Sequence, residues 1–458
     1  MPRPALLHSD ASPHVRGGDR SHQGLRRLIL ALTMLVPAEA GAETVRLSLA
    51  ETVERARASS PRLAQLAALQ TAADAGLLGA RAGRLPVLDL AASYTRNSNV
   101  PELTIALPGT EPRTIFPNIP DNYRTRAGLT LPVYTGGRVQ GEIRAADHNR
   151  DAAGRDLEAG VKDLVLEASS AYWQLVTARE SARVLAEAVA AFEAHLKQTK
   201  DRQQLGMAAR NEVLLVQVER DRAELSRLAA DGAAQVANAN LVRLVDLPPG
   251  SEVEPIEPLA SPARPRPDLE ALVKEALDGR PEAAALRSRA AAAQAAVKVA
   301  RSAALPQASL SAGYDYARPN GRILPPVEQW KGSWSVGVSL SITAFDGGRT
   351  SAAAAQARAQ AAAVRHQLED LERRIRLEVT SRVLDLGTSR ATVEVAERNL
   401  EAAGESLRVS RDRYHEGLIA SFELLDAETA LLRAGLDRTT AATQLRLAQA
   451  SLERAVGR

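Results

Sequence analysis

A chain of 458 residues, 45% apolar but only 3% aromatic, is long enough for two or three ordinary domains yet lacks the bulky side chains that fill a thick core. Its formal charge of +3 resides mostly in the first 42 residues; elsewhere Lys and Arg mix with Asp and Glu at helical spacing, which speaks against a nucleic-acid-binding stripe. Cysteine is absent, so a disulfide framework, a thiolate-held metal, a thiol nucleophile and an acylated N-terminal Cys are all excluded.

Residues 1–42 read as a secretory signal peptide. Arg26-Arg27 precede an apolar run over 28–36, followed by Pro37 and the small-residue sites Ala38-Glu39-Ala40 and Ala40-Gly41-Ala42. That apolar run is too short to cross a bilayer as a helix. A first repeat is predicted over 43–247. It opens with two helices parted at Ser59-Ser60-Pro61, because proline suits a first helical turn and restrains the residue before it. After Pro86 the period changes from 3.6 to 2. Leu88, Leu90, Ala92 and Tyr94 alternate with Asp89, Ala91, Ser93 and Thr95, which predicts a strand over about 87–97. A loop rich in Pro, Asn and Thr follows, then a second alternating strand over 123–134.

Gly136-Gly137-Arg138 opens a proline-free segment, 138–205, predicted as one helix roughly 100 Å long. Its apolar and small residues (Val161, Leu164, Ala168, Ala171, Leu175, Ala178, Ala182, Leu185, Val189, Phe192, Leu196) step by three and four, the pattern of a coiled-coil seam. A return helix over 211–245 and a Pro-rich linker over 248–267 complete this half.

The second repeat, 268–458, restates the first. Pro61 and Leu85-Pro86 recur as Pro281 and Leu305-Pro306 at an offset of 220, while Gly136-Gly137-Arg138 and Gly206 recur as Gly347-Gly348-Arg349 and Gly417 at 211. The difference is assigned to the loop between the strands, where insertion is cheapest. Strands are predicted over about 308–317 and 333–344, a long helix over 349–416, and a return helix over 420–456. The second seam runs through Ile375, Val379, Leu386, Val393, Ala396, Leu400, Ala403 and Leu407, interrupted at Arg382 and Ser389.

Each strand is about 10 residues long, the length that crosses a bilayer at a tilt. In the fourth, Trp334, Val336, Val338, Leu340 and Ile342 oppose only Gly, Ser and Thr, which suits lipid on one side and water on the other. Aromatics gather in or beside the strands: Tyr94, Phe116, Tyr123, Tyr134, Tyr314, Tyr316, Trp330, Trp334 and Phe345. Such clustering is that of an interfacial girdle. A soluble sheet with one buried face is the alternative for a single hairpin; the duplicated hairpins have no other element to cover them. Four strands cannot close a barrel in lipid, so other copies of the chain must complete it. A trimer would supply twelve strands, although one sequence does not fix stoichiometry.

In this layout the chain resembles the TolC-like outer-membrane efflux channels. The resemblance rests on the duplication, on the Tyr-Thr-Gly-Gly-Arg and Phe-Asp-Gly-Gly-Arg turns, on the equal glycine-ended long helices, and on the segment Gly417-Leu418-Ile419-Ala420-Ser421-Phe422-Glu423-Leu424-Leu425-Asp426-Ala427. It implies a mainly α protein with a membrane β-barrel: a homotrimer with a 12-stranded barrel in the outer membrane of a Gram-negative bacterium and a helical tunnel in the periplasm. It further implies docking on a periplasmic adaptor protein and an inner-membrane transporter, with drugs, metal ions or proteins as cargo. A periplasmic adaptor or coiled-coil scaffold without a pore is the alternative from another class. Such an adaptor should carry a β-rich lipoyl-like module and an inner-membrane anchor, which this sequence lacks.

Candidate site residues lie at the helix turns Leu205-Gly206-Met207 and Glu416-Gly417-Leu418. Either glycine serves as a left-handed helix cap; the resemblance adds that these turns receive the adaptor. Glu423 and Asp426, three apart, share a helical face and become rings in a three-fold assembly. Geometry alone favours a plainly solvated helix start for the two acids; the resemblance instead makes them the acidic gate of such channels, with Tyr414 a tyrosine that helps to hold it closed. Polar bridges between helices at the tip are expected from Asp201 and Arg202 with Arg411, Asp412 and Arg413. No catalytic residue, metal or cofactor is expected. The Gly-Gly-Arg turns lack the spacing of a phosphate loop, the seven His are scattered singly with a surface role as the default, and no Ser/His/Asp group emerges from the pattern.

Overall fold

The computed structural model describes residues 44–106, 108–259 and 268–458. All of them belong to one unit, Thr44–Arg458; the predicted signal peptide lies outside the described residues. In chain order the elements are β1 (Thr44–Leu47), α1 (Leu49–Ser59), α2 (Pro61–Ala82), β2 (Val87–Arg96), β3 (Leu103–Ile105), β4 (Arg113–Phe116), β5 (Asp121–Tyr134), α3 (Arg138–Gln204), α4 (Arg210–Leu244), β6 (Glu252–Pro255), α5 (Leu269–Gly279), α6 (Pro281–Ser302), β7 (Gln307–Arg318), β8 (Lys331–Ser341), α7 (Arg349–His415) and α8 (Ser421–Val456).

The short helix pairs begin where local chemistry tells them to. Ser48 caps α1, accepting from the Glu51 amide at 3.2 Å while the Glu51 carboxylate accepts from the Ser48 amide at 2.8 Å. Ser60 caps α2, and Pro61 and Pro281 both occupy first-turn positions whose amides would be unpaired anyway. Corresponding helices of the two halves match in length: α1 and α5 have 11 residues, α2 and α6 have 22, and α3 and α7 have 67. Duplication of a whole unit explains that match; chance does not.

The strands β2, β5, β7 and β8 form one antiparallel sheet in that order. Tyr94 lies opposite Tyr123, Tyr123 opposite Arg318, and Tyr314 opposite Trp334. The connection from β2 to β5, predicted as plain loop, holds its own small hairpin, with Leu103 paired to Phe116 and Ile105 to Arg113.

The segment predicted as a Pro-rich linker contains β6, which pairs in parallel with β1 from Thr44↔Glu252 to Leu47↔Pro255. Two four-residue strands are too short to show a period, so the sequence pattern misses both. Their anchor is Tyr172 on α3, which is fully buried. Its hydroxyl donates to the Leu47 carbonyl at 3.2 Å and accepts from the Glu257 amide at 3.1 Å, and burial pushes the phenol above its usual range. Leu47, Trp173, Leu175, Leu241 and Val253 pack round it as the thickest part of the core. Elsewhere the core is a set of seams: Val189, Phe192 and Leu196 pack with Val213, Val216 and Leu425, and Leu407 packs with Leu424 and Ala427.

Candidate functional site: the two-faced sheet and the helix tips

Because β2, β5, β7 and β8 are in register, every second side chain of each strand shares a face with those paired to it on the next. One face carries Leu88, Leu90, Ala92 and Tyr94 of β2; Tyr123, Ala127, Leu129 and Leu131 of β5; Leu310, Ala312, Tyr314 and Tyr316 of β7; and Trp334, Val336, Val338 and Leu340 of β8. Among the described residues no other element covers it: Leu90 is 78% exposed and Val338 77%. So large an open apolar face calls for lipid or a partner. The opposite face is polar, with Ser309, Ser311, Ser333, Ser335 and Ser339 among its residues and Arg124 paired to Asp315 at 2.7 Å.

The predicted aromatics fall at two levels. Tyr94 and Tyr123 rings lie 5.0 Å apart, Tyr316 stacks on Trp330 at 5.1 Å, and Tyr314 and Trp334 are one row further in. Tyr134 and Phe345 stand exposed at the other end, beside the long helices. The apolar rows lie between. A tilted strand of this length covers about 25 Å, the height of a lipid-facing band.

Strands pass into long helices through paired glycines in the left-handed region. Gly136 and Gly137 have φ of 61° and 85°, and Gly347 and Gly348 have 66° and 86°. Side chains resist that conformation, and a Cβ on Gly136 would also meet the Leu305 Cβ and the Ser302 carbonyl at 2.8 Å.

At the far ends the two turns are built alike. Met207 donates its amide to the Arg202 carbonyl and Leu418 to the Arg413 carbonyl, both at 2.8 Å, round Gly206 and Gly417 with φ of 74° and 75°. These are αL-glycine caps that satisfy the last carbonyls. Leu205, Met207 and Leu418 stand exposed, and Glu416 ends α7. Glu423 and Asp426 are exposed on the first turns of α8, and their carboxylates make no hydrogen bond or ion pair among the described residues.

Tyr414 is buried and is not joined to those acids. Its ring meets the His195 ring at 5.4 Å and lies under the Arg202 guanidinium at 4.1 Å, and its hydroxyl is 3.4 Å from that of Thr199. Among the described residues of one chain, Asp201 and Arg202 form no ion pair with Arg411, Asp412 or Arg413. Arg202 instead donates to the carbonyls of Tyr414 at 2.6 Å and His415 at 3.4 Å. The carbonyls closing a helix lack partners within the helix itself and form the negative end of its dipole, so they attract a guanidinium. Asp412 pairs with Arg408 of its own helix at 3.1 Å. Asp201, Arg411 and Arg413 join no ion pair among the described residues.

His195 overturns its expected surface role. It is 2% exposed, with Nδ1 at 2.8 Å from a Glu428 carboxylate oxygen and Nε2 at 3.0 Å from the Ser421 hydroxyl. The trio has the order of a nucleophile, a base and an orienting acid, yet Ser421 is sealed from solvent and no substrate can reach it. It is a buried polar clasp holding α8 against α3.

Family comparison agrees with this architecture. The model for the outer membrane efflux protein family matches residues 52–245 and 272–458, one match for each repeat. Protein CyaE of Bordetella pertussis is 26% identical over 331 residues, covering 72% of this chain and 69% of that one. Outer membrane protein TolC of Vibrio cholerae is 23% identical over 415 residues, 90% of each. The solved outer-membrane channel OprN shares the fold with a TM-score of 0.75 at 24% identity, covering 89% of both chains. With its sheet, its equal long helices and both repeats matched, the chain belongs to the outer membrane efflux protein family.

Proposed function

We propose that three copies of this chain form the exit duct of a tripartite efflux or type I secretion system. The observation that carries this reading is the four-stranded sheet, apolar on one face and polar on the other, with both edge strands open. Open backbone edges are not viable in lipid. Pairing β8 of one copy with β2 of the next removes every edge at once, and three copies would give twelve strands. The hairpins α3–α4 and α7–α8 then continue the barrel as a periplasmic tunnel. Their turns, Leu205-Gly206-Met207 and Glu416-Gly417-Leu418, receive the adaptor that joins the duct to an inner-membrane pump.

Glu423 and Asp426 form acidic rings at the tunnel entrance, where their exposed and unpaired carboxylates attract cations. Tyr414 and Arg202 hold the two hairpins together just behind them. The test is to purify the processed protein from outer membranes and reconstitute it in planar bilayers. Detergent-requiring trimers that conduct are expected, and Glu423→Ala/Asp426→Ala should lower their preference for cations. A processed chain that stays monomeric in detergent-free buffer would end the duct; unchanged selectivity would remove the two acids from the gate.

A further inference from the structure

The polar face of the sheet carries charge in an uneven way. Arg124 and Arg126 of β5, Asp315 of β7, Asp89 of β2 and Lys331 of β8 all stand on it; every other residue of that face is uncharged. The register orders them by level. Arg124, Ala317 and Lys331 form the level nearest the β7–β8 loop; Ala91, Arg126, Asp315 and Ser333 form the next; Asp89, Gly128, Gly313 and Ser335 form the third. Successive levels on one face are about 7 Å apart.

Asp315 lies directly opposite Arg126 but turns diagonally to Arg124, at 2.7 Å. Among the described residues Arg126 joins no ion pair, and its guanidinium is laid across Gly313 so that a Cβ there would come within 3.4 Å of it. Lys331 likewise joins no ion pair among the described residues. Asp89 is folded over Gly128 on the third level, where a Cβ would meet its carboxylate at 2.8 Å. The Arg126 guanidinium thus reaches the level of Asp89, and the three levels together hold three cations against two anions in each chain.

We propose that Arg126 and Lys331, repeated round the assembled barrel, form a basic collar in the outer half of the lumen that favours anions and anionic groups on cargo over cations. The collar rests on the channel reading above and gives the duct ends of opposite sign, acidic at the tip and basic at the mouth. Unpaired guanidinium and ammonium groups lining a pore raise the local concentration of anions and present donors to carboxylates.

The absence of cysteine makes the test site-specific. Arg126→Cys trimers are placed in planar bilayers under a potassium chloride gradient, and the reversal potential is read before and after thiol modification. The chloride-to-potassium permeability ratio should fall by about twofold or more on substitution. An aminoethyl methanethiosulfonate reagent should restore it, a sulfonatoethyl reagent should depress it further, and an uncharged methyl reagent should leave it low. Should Arg126→Cys fail to assemble, Ser333→Cys on the same level takes the same reagents and should respond with the same signs. Conducting trimers whose selectivity ignores the charge at both positions would overturn the collar alone. Trimers that conduct nothing would take the channel and the collar down together.

Discussion

His195 is a buried imidazole with a carboxylate on one nitrogen and a hydroxyl on the other, and Glu428 is 6% exposed. With a proton on Nδ1 the ring donates to Glu428 while Nε2 faces the Ser421 hydroxyl, so the carboxylate has a donor inside the helices. Removing that donor strands a charge inside the helices. His195→Phe should destabilise the helical part by about 3 kcal/mol, the usual cost of breaking a buried pair from one side. The double variant His195→Phe/Glu428→Leu should recover most of the loss, because two apolar groups of similar shape need no partners. Thermal unfolding of detergent-solubilised trimers, followed by far-ultraviolet circular dichroism, gives both numbers; a double variant as weak as the single one would reduce the clasp to packing. Nothing in the sequence shows this clasp. Its members lie 226 and 233 residues apart, and only the side-by-side placement of α3 and α8 brings them together. The exposed Glu423 and Asp426 were legible because they are three residues apart on one helix, where spacing alone fixes the shared face.

The two long helices have equal lengths, and each begins after two glycines, yet their first turns are held differently. In α7 the Asp346 carboxylate accepts from the amides of Gly348 at 2.9 Å and Thr350 at 2.8 Å. Thr350, through its hydroxyl and its amide, and then Gly348 hold that carboxyl below its usual range. In α3 the equivalent residue is Thr135, whose hydroxyl accepts from the Val139 amide at 3.3 Å and does not titrate in this range. A depressed carboxyl contributes stability that is fully present above the unfolded pKa, about 4. That contribution is lost as pH falls through the lower, folded value. Below about pH 4 the first turn of α7 should fray while that of α3 stays closed. Amide exchange at Thr350 and Val139, compared between pH 7 and pH 3, reads the difference; equal acceleration at both would remove Asp346 as the cause. Both helix starts were legible, since glycine pairs and a missing proline speak locally. The strands β1 and β6 were not, because four residues are too few to show a period and the parallel pairing joins segments about 200 residues apart in the chain.

At the scale of the whole molecule the decisive feature is what one chain leaves unfinished. All 10 residues of β2 are exposed, and β8 is open at the opposite edge of the same sheet. The alternation that makes one face apolar was readable strand by strand, and so was the need for further copies. Their number was not, because closure depends on strand tilt and stagger, which belong to the assembly rather than to any segment. A sheet that closes on itself after a fixed number of copies differs measurably from one that adds copies without end. With no native cysteine to interfere, Ala91→Cys on β2 can be combined with single cysteines placed in turn over 333–339 of β8. At the matching register, oxidation in outer membranes should link one copy to the next and give a denaturing-gel ladder that stops at three. A ladder running on past three would replace the closed trimer with an open or larger assembly. If no position cross-links, β8 and β2 of neighbouring copies do not meet, and the barrel must be closed some other way. The pairing is sought within lipid because an unpaired strand edge has no water there to satisfy it, and that penalty leaves the neighbouring copy as the only source of hydrogen-bond partners.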